Sequence, residues 1–548
     1  MEKDILKTDI QLKVKQEQSL LEMFASDTLD YDKNPVVAAL VNGELRSLNS
    51  TAYKNATIVP VRLFSNLGKR TYRKTLCFLL GYASSRLFPE RTLVIGHSLG
   101  DGFYFSYRGK EKPDVDALKR EMKRAIIDNL QITIETIPAS EALDYVRKHN
   151  LIETENLLHT CNAGQYKVCS MDGVMELYYE PMLPSVGLLK EWDLMEYQDG
   201  MLLRYPRSTE RKIVPFVDNP LLFSVFQENK KIANTLEVES LGALNLKQRE
   251  NQIDQTILLS ESLQRKRIAD IGTKIKEKGG VKVVFIAGPS SSGKTTFSLK
   301  LCNELILNGF KPIKISLDDY YLPEELVPLD ENGEKDFELL EALDVELFRK
   351  QINDLIEGKS VHLPTYDFKK RNHSFRDKAT TLNENSILVI EGIHGLNPKL
   401  MPDLDKNLSF KVYISALCQL NLDSRGRIST TDNRILRRMV RDNRTRGLDA
   451  VETLSRWPSV ERGEKNHIFP YQNNADVMIN SALEYELGVL TPYAIPLLRS
   501  VSEEDGECYA TARRLLTFLS FVYPIASDSV PSDSILREFI GGSVFNAT

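Results

Sequence analysis

The stretch VKVVFIAGPSSSGKTTFSLKLC, Val281 to Cys302, decides how the chain is read. Val281 to Ala287 is an apolar, β-branched run of strand length, with three valines among its seven residues. It breaks at Gly288-Pro289-Ser290-Ser291-Ser292-Gly293-Lys294-Thr295, which fits G-x-x-x-x-G-K-[ST], and helical spacing resumes from Thr296 to Leu305. Glycines let consecutive N–H groups face one anion, and the new helix adds the positive end of its dipole. The expectation is a cradle for the phosphates of ATP from Gly288 to Thr296. Lys294 would reach the β- and γ-phosphates, and the Thr295 hydroxyl would ligate Mg²⁺.

Further along, KPIKISLDDYYLP reads as a strand ending in Asp318 and Asp319. Carboxylates just past a parallel strand sit where α/β sheets bind ligands, and one of them can take the proton of an attacking hydroxyl. An Asp-rich turn is the alternative. In SILVIEGIHGL, Glu391 follows an apolar strand; a carboxylate there is expected to face the metal or its waters. NRILRRMVRDNRTRGLD carries six arginines between Arg434 and Arg446. Arg434, Arg438 and Arg441 share a helix face, either a solvated stripe or a lid that brings guanidinium groups onto a phosphoryl group.

Taken in order, GPSSSGKTT, SLDDYY, DFELLEALD, LPTYDFKKRNHS, VIEGIHGL, RRMVRDNRTRG and YQNNADVMIN resemble the uridine kinase family, within the group that includes phosphoribulokinase and pantothenate kinase. The resemblance covers about 281–480. It implies an α/β P-loop kinase with a mostly parallel sheet, using ATP and Mg²⁺. By the same resemblance, Asp318 takes the proton of a nucleoside 5′-hydroxyl, with Tyr321 beside it. Glu341 binds the ribose, Tyr366 and Phe368 form the base pocket, Arg438 contacts the substrate, and Arg441 and Arg446 are catalytic lid arginines. Three departures bear on the acceptor: Arg371 stands where a histidine is usual, Leu448 replaces a second lid arginine, and Leu339-Leu340 replaces a His-Pro pair.

The front half reads differently. NPVVAALVNGELRSLNSTAYKNATIVPV alternates apolar residues around an Asn42-Gly43 turn, the signature of a hairpin in a small β-rich unit. It resembles a TGS domain, which implies a ubiquitin-like fold. TLCFLLGYASSRLFPERTLVIGHSLGDGFYFSY and ELYYEPMLPSVGLLKEWDLMEYQDGMLLRY resemble the second additional domain of threonyl- and alanyl-tRNA synthetases, an α+β unit that edits mischarged tRNA. The family pattern puts Lys74 and Phe78 at its two histidine positions, and Tyr178 and Met182 at its later Cys and His positions. These residues cannot supply the usual ligand set, so a retained scaffold without hydrolytic chemistry is expected.

Over its 548 residues the chain is 42% hydrophobic and 27% charged with a formal net charge of -5, which speaks against a dominant polyanion-binding surface. Six cysteines without Cys-x-x-Cys spacing signal neither a zinc site nor a disulfide framework. With no apolar leader and no membrane-length apolar run, a cytoplasmic protein without membrane contact is expected. The expected layout is 1–66 TGS-like, 67–215 synthetase-like, 216–280 a helical connector, 281–490 the kinase, and 491–548 a C-terminal helix and docking tail. Transfer to a small-molecule hydroxyl, foremost the 5′-hydroxyl of uridine or cytidine, is the leading function. A tRNA- or nucleotide-sensing regulator and a kinase of another alcohol, such as a sugar phosphate, are the alternatives. RNA or effector contact through the front half and homo-oligomer formation stay open.

Overall fold

The computed structural model describes residues 12–27, 30–109, 111–207, 210–330, 333, 335–367 and 372–545. Five strands form the sheet that positions the cradle: β1 (Val283–Ala287), β2 (Lys311–Ser316), β3 (Ser386–Glu391), β4 (Ser409–Ser415) and β5 (Val477–Asn480). Their order is β2-β3-β1-β4-β5, and every pairing is parallel. All five residues of β1 and all six of β3 are buried, which is why both read as unbroken apolar runs. Register places Glu391 opposite Ile286 on one side and Ser316 on the other. The segments after β1, β2 and β3 therefore leave the sheet at one level, in the crevice where strand order reverses.

Residues 216–280, expected as a helical connector, hold helices Pro220–Thr235 and Leu241–Arg249 and the long α1 (Ile253–Lys278), along which Ile253, Ile257, Ile268, Ile271 and Ile275 are buried. Leu258, next to Ile257, lies one residue past that stripe and is 59% exposed. Helix α2 (Lys294–Leu307) follows the cradle, α3 (Thr430–Arg446) carries the arginines, and α4 (Ala450–Gly463) runs on from it. Helix α5 (Glu507–Leu519) buries Ala510, Ala512, Leu515 and Leu519, as its amphipathic spacing predicts.

In front, an antiparallel sheet runs in the order Leu12–Lys13, Thr57–Arg62, Val36–Val41, Glu44–Ser47. Asn42 and Gly43, both at positive φ, close the expected hairpin. The next unit packs helix Asn66–Leu87 with a four-stranded and a three-stranded antiparallel sheet, an α+β arrangement.

Apolar packing runs across the boundary expected at residue 215. One continuous apolar cluster joins Leu157 and Val168 of the front half to Ile271, Val284, Leu436 and Leu515. The segment between β4 and α3 adds polar ties: Asn421 donates to the Ile95 carbonyl, Ser424 to Glu153, and Arg425 to Glu176 and Ser85, while Asp423 accepts from Tyr179. Among the described residues no helix is long and apolar enough to cross a membrane.

Candidate active site

The cradle's shape is set from outside by groups that take its carbonyls. Arg434 donates to the Ser290 carbonyl at 2.8 Å, Arg437 to that of Ser291 at 3.3 Å, and the Ser481 hydroxyl to that of Ser292 at 2.6 Å. Lys294 turns back to the carbonyls of Gly288 and Pro289, at 2.9 and 3.1 Å. Some of the cradle's N–H groups are also engaged, that of Ser290 by Glu464 at 3.1 Å and that of Ser292 by the Pro289 carbonyl at 3.3 Å. A Cβ on Gly288 would fall 1.9 Å from the Ile414 carbonyl, so only glycine lets the chain leave β1 beside β4. Gly293 at φ 81° supplies the left-handed turn into α2.

Three charged groups meet at the strand ends. The Thr295 hydroxyl donates to Glu391 at 3.2 Å, and Glu391 is buried. Burial raises the Glu391 carboxyl and the Asp318 charge raises it further, while Lys314 and Lys294 pull it down. Burial lowers the Lys294 ammonium, and Glu391, Asp318 and Glu538 oppose that shift. Asp318 is exposed at its surface although protein atoms crowd its carboxylate from the other sides. Enclosure raises its pKa first; Lys294 lowers it, Asp319 raises it, and Arg446 and Arg441 lower it. Asp319 is engaged elsewhere, accepting from the Tyr366 N–H at 3.2 Å and pairing with Arg376 at 3.3 Å. The two neighbouring aspartates are thus separated by role: Asp319 holds a strand, and Asp318 faces the cations.

The arginine helix divides in the same way. Arg434 is buried in an ion pair with Glu464 and lies over the Trp457 ring, so the expected shared face of Arg434, Arg438 and Arg441 is broken at its first member. Arg437 is fully buried against Glu486. Asp442, 1% exposed, gathers Arg438, Arg441 and Arg446 at 3.1 to 3.3 Å and aims them toward the crevice. Arg438 also donates to the Ser290 hydroxyl at 3.0 Å.

On the acceptor side the Tyr321 hydroxyl donates to the Phe337 carbonyl, and its ring meets those of Phe337 and Tyr366 at 5.9 and 5.8 Å. Phe368 and Arg371 lie outside the described residues. Glu341 is not brought to the site: it is exposed on a single turn whose neighbours Leu340 and Ala342 are buried. Glu338, three residues earlier, is the carboxylate that faces the cations. Its carboxyl is pushed up to about 7 by burial and by Glu464, against the pull of Arg438 and Lys294. Sequence reading missed Glu338 because the motif offers two glutamates and spacing alone does not choose between them. It missed Asp442 although that residue is the lone acid among six arginines, a detectable signal. It missed Glu464 and Glu538 because both arrive from distant segments.

The residues present fit a magnesium nucleotide. The hydroxyls of Ser291 and Ser292 are buried in the cradle with no hydrogen-bond partner, and Thr295 with Glu391 offers oxygen donors of the kind Mg²⁺ takes.

A model of the phosphoribulokinase / uridine kinase family matches residues 283–487. The uridine kinase of Macrococcus caseolyticus (strain JCSC5402) is 30% identical over 198 residues, 36% of this chain and 86% of that protein. That of Staphylococcus aureus (strain JH9) is 30% identical over 200 residues, with the same shares. A solved structure described as a possible uridine kinase from Bacillus stearothermophilus is 20% identical, covers 40% of this chain and 99% of that one, and has a TM-score of 0.28.

Proposed function

The chain belongs to the phosphoribulokinase / uridine kinase family, whose members carry out ATP-dependent phosphoryl transfer to a hydroxyl, and we propose that its acceptor is the 5′-hydroxyl of a nucleoside such as uridine or cytidine. The observation that carries this reading is the placement of Asp318. The charges of Lys294, Arg446 and Arg441 bear on it, while its neighbour Asp319 is engaged by Tyr366 and Arg376. In this reading Asp318 takes the proton of the attacking hydroxyl. Lys294, Arg441 and Arg446 neutralise charge on the phosphoryl oxygens in a loose transition state. Thr295 and Glu391 would hold Mg²⁺, which supplies charge neutralisation on the nucleotide phosphates when bound. The Tyr321, Phe337 and Tyr366 rings suit a planar base, and Glu338 suits sugar hydroxyls, which supports a nucleoside over a sugar phosphate.

The front half is proposed to be a TGS-like module followed by a synthetase-like scaffold that serves packing rather than hydrolysis. Lys74, at a position where the editing family keeps a histidine, forms an ion pair with Glu176 at 3.6 Å. The buried Phe78 and Met182 belong to the apolar core.

An acceptor screen by ATP consumption, with nucleosides, sugar phosphates and pantothenate in parallel, tests the assignment. Turnover with uridine or cytidine is expected. Turnover confined to a sugar phosphate or pantothenate would refute the nucleoside reading.

A further inference from the structure

Two donors of the phosphate cradle are taken by the chain's own C-terminus. The backbone N–H and the hydroxyl of Thr296 both donate to Oε2 of Glu538, at 3.2 and 2.8 Å. Thr296 lies in the first turn of α2, where N–H groups lack intrahelical partners and the dipole favours an anion. A carboxylate there presents the charge and the acceptor oxygen that a phosphate would present. Its field also reaches Lys294 and Glu391, so it lies inside the electrostatics of the reaction centre.

The tail is held on both sides of the cradle. Asp533 pairs with Lys300 of α2 and Arg265 of α1, each at 3.1 Å. Arg444 of α3 donates to the carbonyls of Glu538 and Phe539, at 2.8 and 3.1 Å. The Phe539 ring lies 4.9 Å from the Arg437 guanidinium. Ile535 reaches 2.5 Å from the point where a Cβ on Gly293 would stand. Ile535, Leu536, Phe539 and Ile540 are buried, whereas Glu538 is only partly so. The apolar residues anchor the segment, and the carboxylate remains free to exchange with another anion.

We propose that 531–540 is a built-in competitor of the nucleotide, with the Glu538 carboxylate in a phosphate position of the cradle. The side chain must leave Thr296 before the phosphate chain of ATP seats. Because Arg444 belongs to the arginine helix, movement of that helix loosens or tightens the competitor. The inference rests on the reading of Gly288 to Thr296 as an ATP site. A tail that instead completes the nucleotide pocket predicts the opposite sign.

The test is direct titration of full-length wild type, Glu538→Gln and Glu538→Ala with Mg·ATP by calorimetry, without acceptor. Removing one charge-assisted contact to the cradle should tighten ATP binding roughly 5- to 10-fold in Glu538→Ala, and by less in the isosteric Glu538→Gln. ATP affinity equal to or weaker than wild type in both variants would overturn the inference while leaving the kinase reading intact. Absence of ATP binding in all three proteins would overturn both.

Discussion

Arg425 donates to Glu176 across an ion pair of 3.2 Å, with the two side chains only 9% and 6% exposed. One residue belongs to the kinase segment that leads from β4 into the arginine helix, the other to the front half. Lys74 adds a second cation to Glu176, and burial, the largest influence, raises that carboxyl against both. Removing Arg425 leaves the buried Glu176 carboxylate with the longer Lys74 contact alone and takes away its shorter ion pair.

Arg425→Ala should therefore lower stability by about 3 kcal/mol, measured by urea denaturation of the full chain. A chain beginning at Phe216 should be aggregation-prone rather than a free-standing kinase, because the cluster joining Leu157 to Val284 and Leu436 would be opened to water. A soluble, monomeric and active truncated protein would show that the shared core is dispensable.

Asp318 and Asp319 differ in what they touch, and their substitutions should differ accordingly. Asp318→Asn should reduce kcat by roughly 10²-fold or more with little change in ATP affinity. Asp319→Asn weakens the tie to Arg376 and should act mainly on stability and acceptor KM. A larger kcat loss in Asp319→Asn would reverse the assignment.

Glu338 titrates near neutrality, pushed up to about 7 by burial and Glu464. Its ionised form is the better acceptor for hydroxyl donors. The acceptor KM should rise as pH falls through 7, while the KM for ATP stays level. In Glu338→Gln the acceptor KM should be high at every pH; an unaltered pH dependence would remove Glu338 from the acceptor site.

Asp432 receives both terminal nitrogens of Arg514, at 2.6 and 2.8 Å, and lies 3.5 Å from Arg70. Burial alone would raise its carboxyl, but the two arginines overcome that and hold it down at about 2, against an ordinary 3.8. A depressed carboxylate contributes stability above its unfolded pKa and loses it as pH falls through the folded value. That contribution is about 2 kcal/mol, fully present at pH 5 to 7 and lost between roughly pH 4 and pH 2. Asp432→Asn should be less stable than wild type at pH 7, with the gap closing only below pH 4. A gap that is constant from pH 7 to pH 3 would mean that charge is not what Asp432 contributes.

The strands around the cradle were legible because each is a local pattern: an apolar run, then a glycine, an aspartate or a glutamate at its end. Asp318, Lys294, Thr295 and Glu391 follow from such patterns, and the structure brings all four together. Beyond Glu338 and Asp442, which lie inside legible motifs, what escaped is held by distance along the chain. Glu538 lies 242 residues from Thr296, and no spacing rule relates them. The ties across residue 215 were hidden for the same reason, since Asp423 to Arg425 look like an ordinary polar loop until their partners Tyr179, Glu153 and Glu176 are in place.

The tie between Ser424 and Glu153 spans 271 residues, and this governs the order in which the protein can be made. The front half leaves the ribosome first, but part of its packing surface waits for a loop synthesised on the order of tens of seconds later at ordinary translation rates. Until then Leu157, Val168 and their neighbours lack the kinase side of their shared cluster. Contacts so far apart in sequence also slow the search for the native pairing. The nascent chain should accordingly depend on holdase chaperones more than a single kinase domain does, and a ribosome stalled before residue 423 should expose a front half that is vulnerable to proteases.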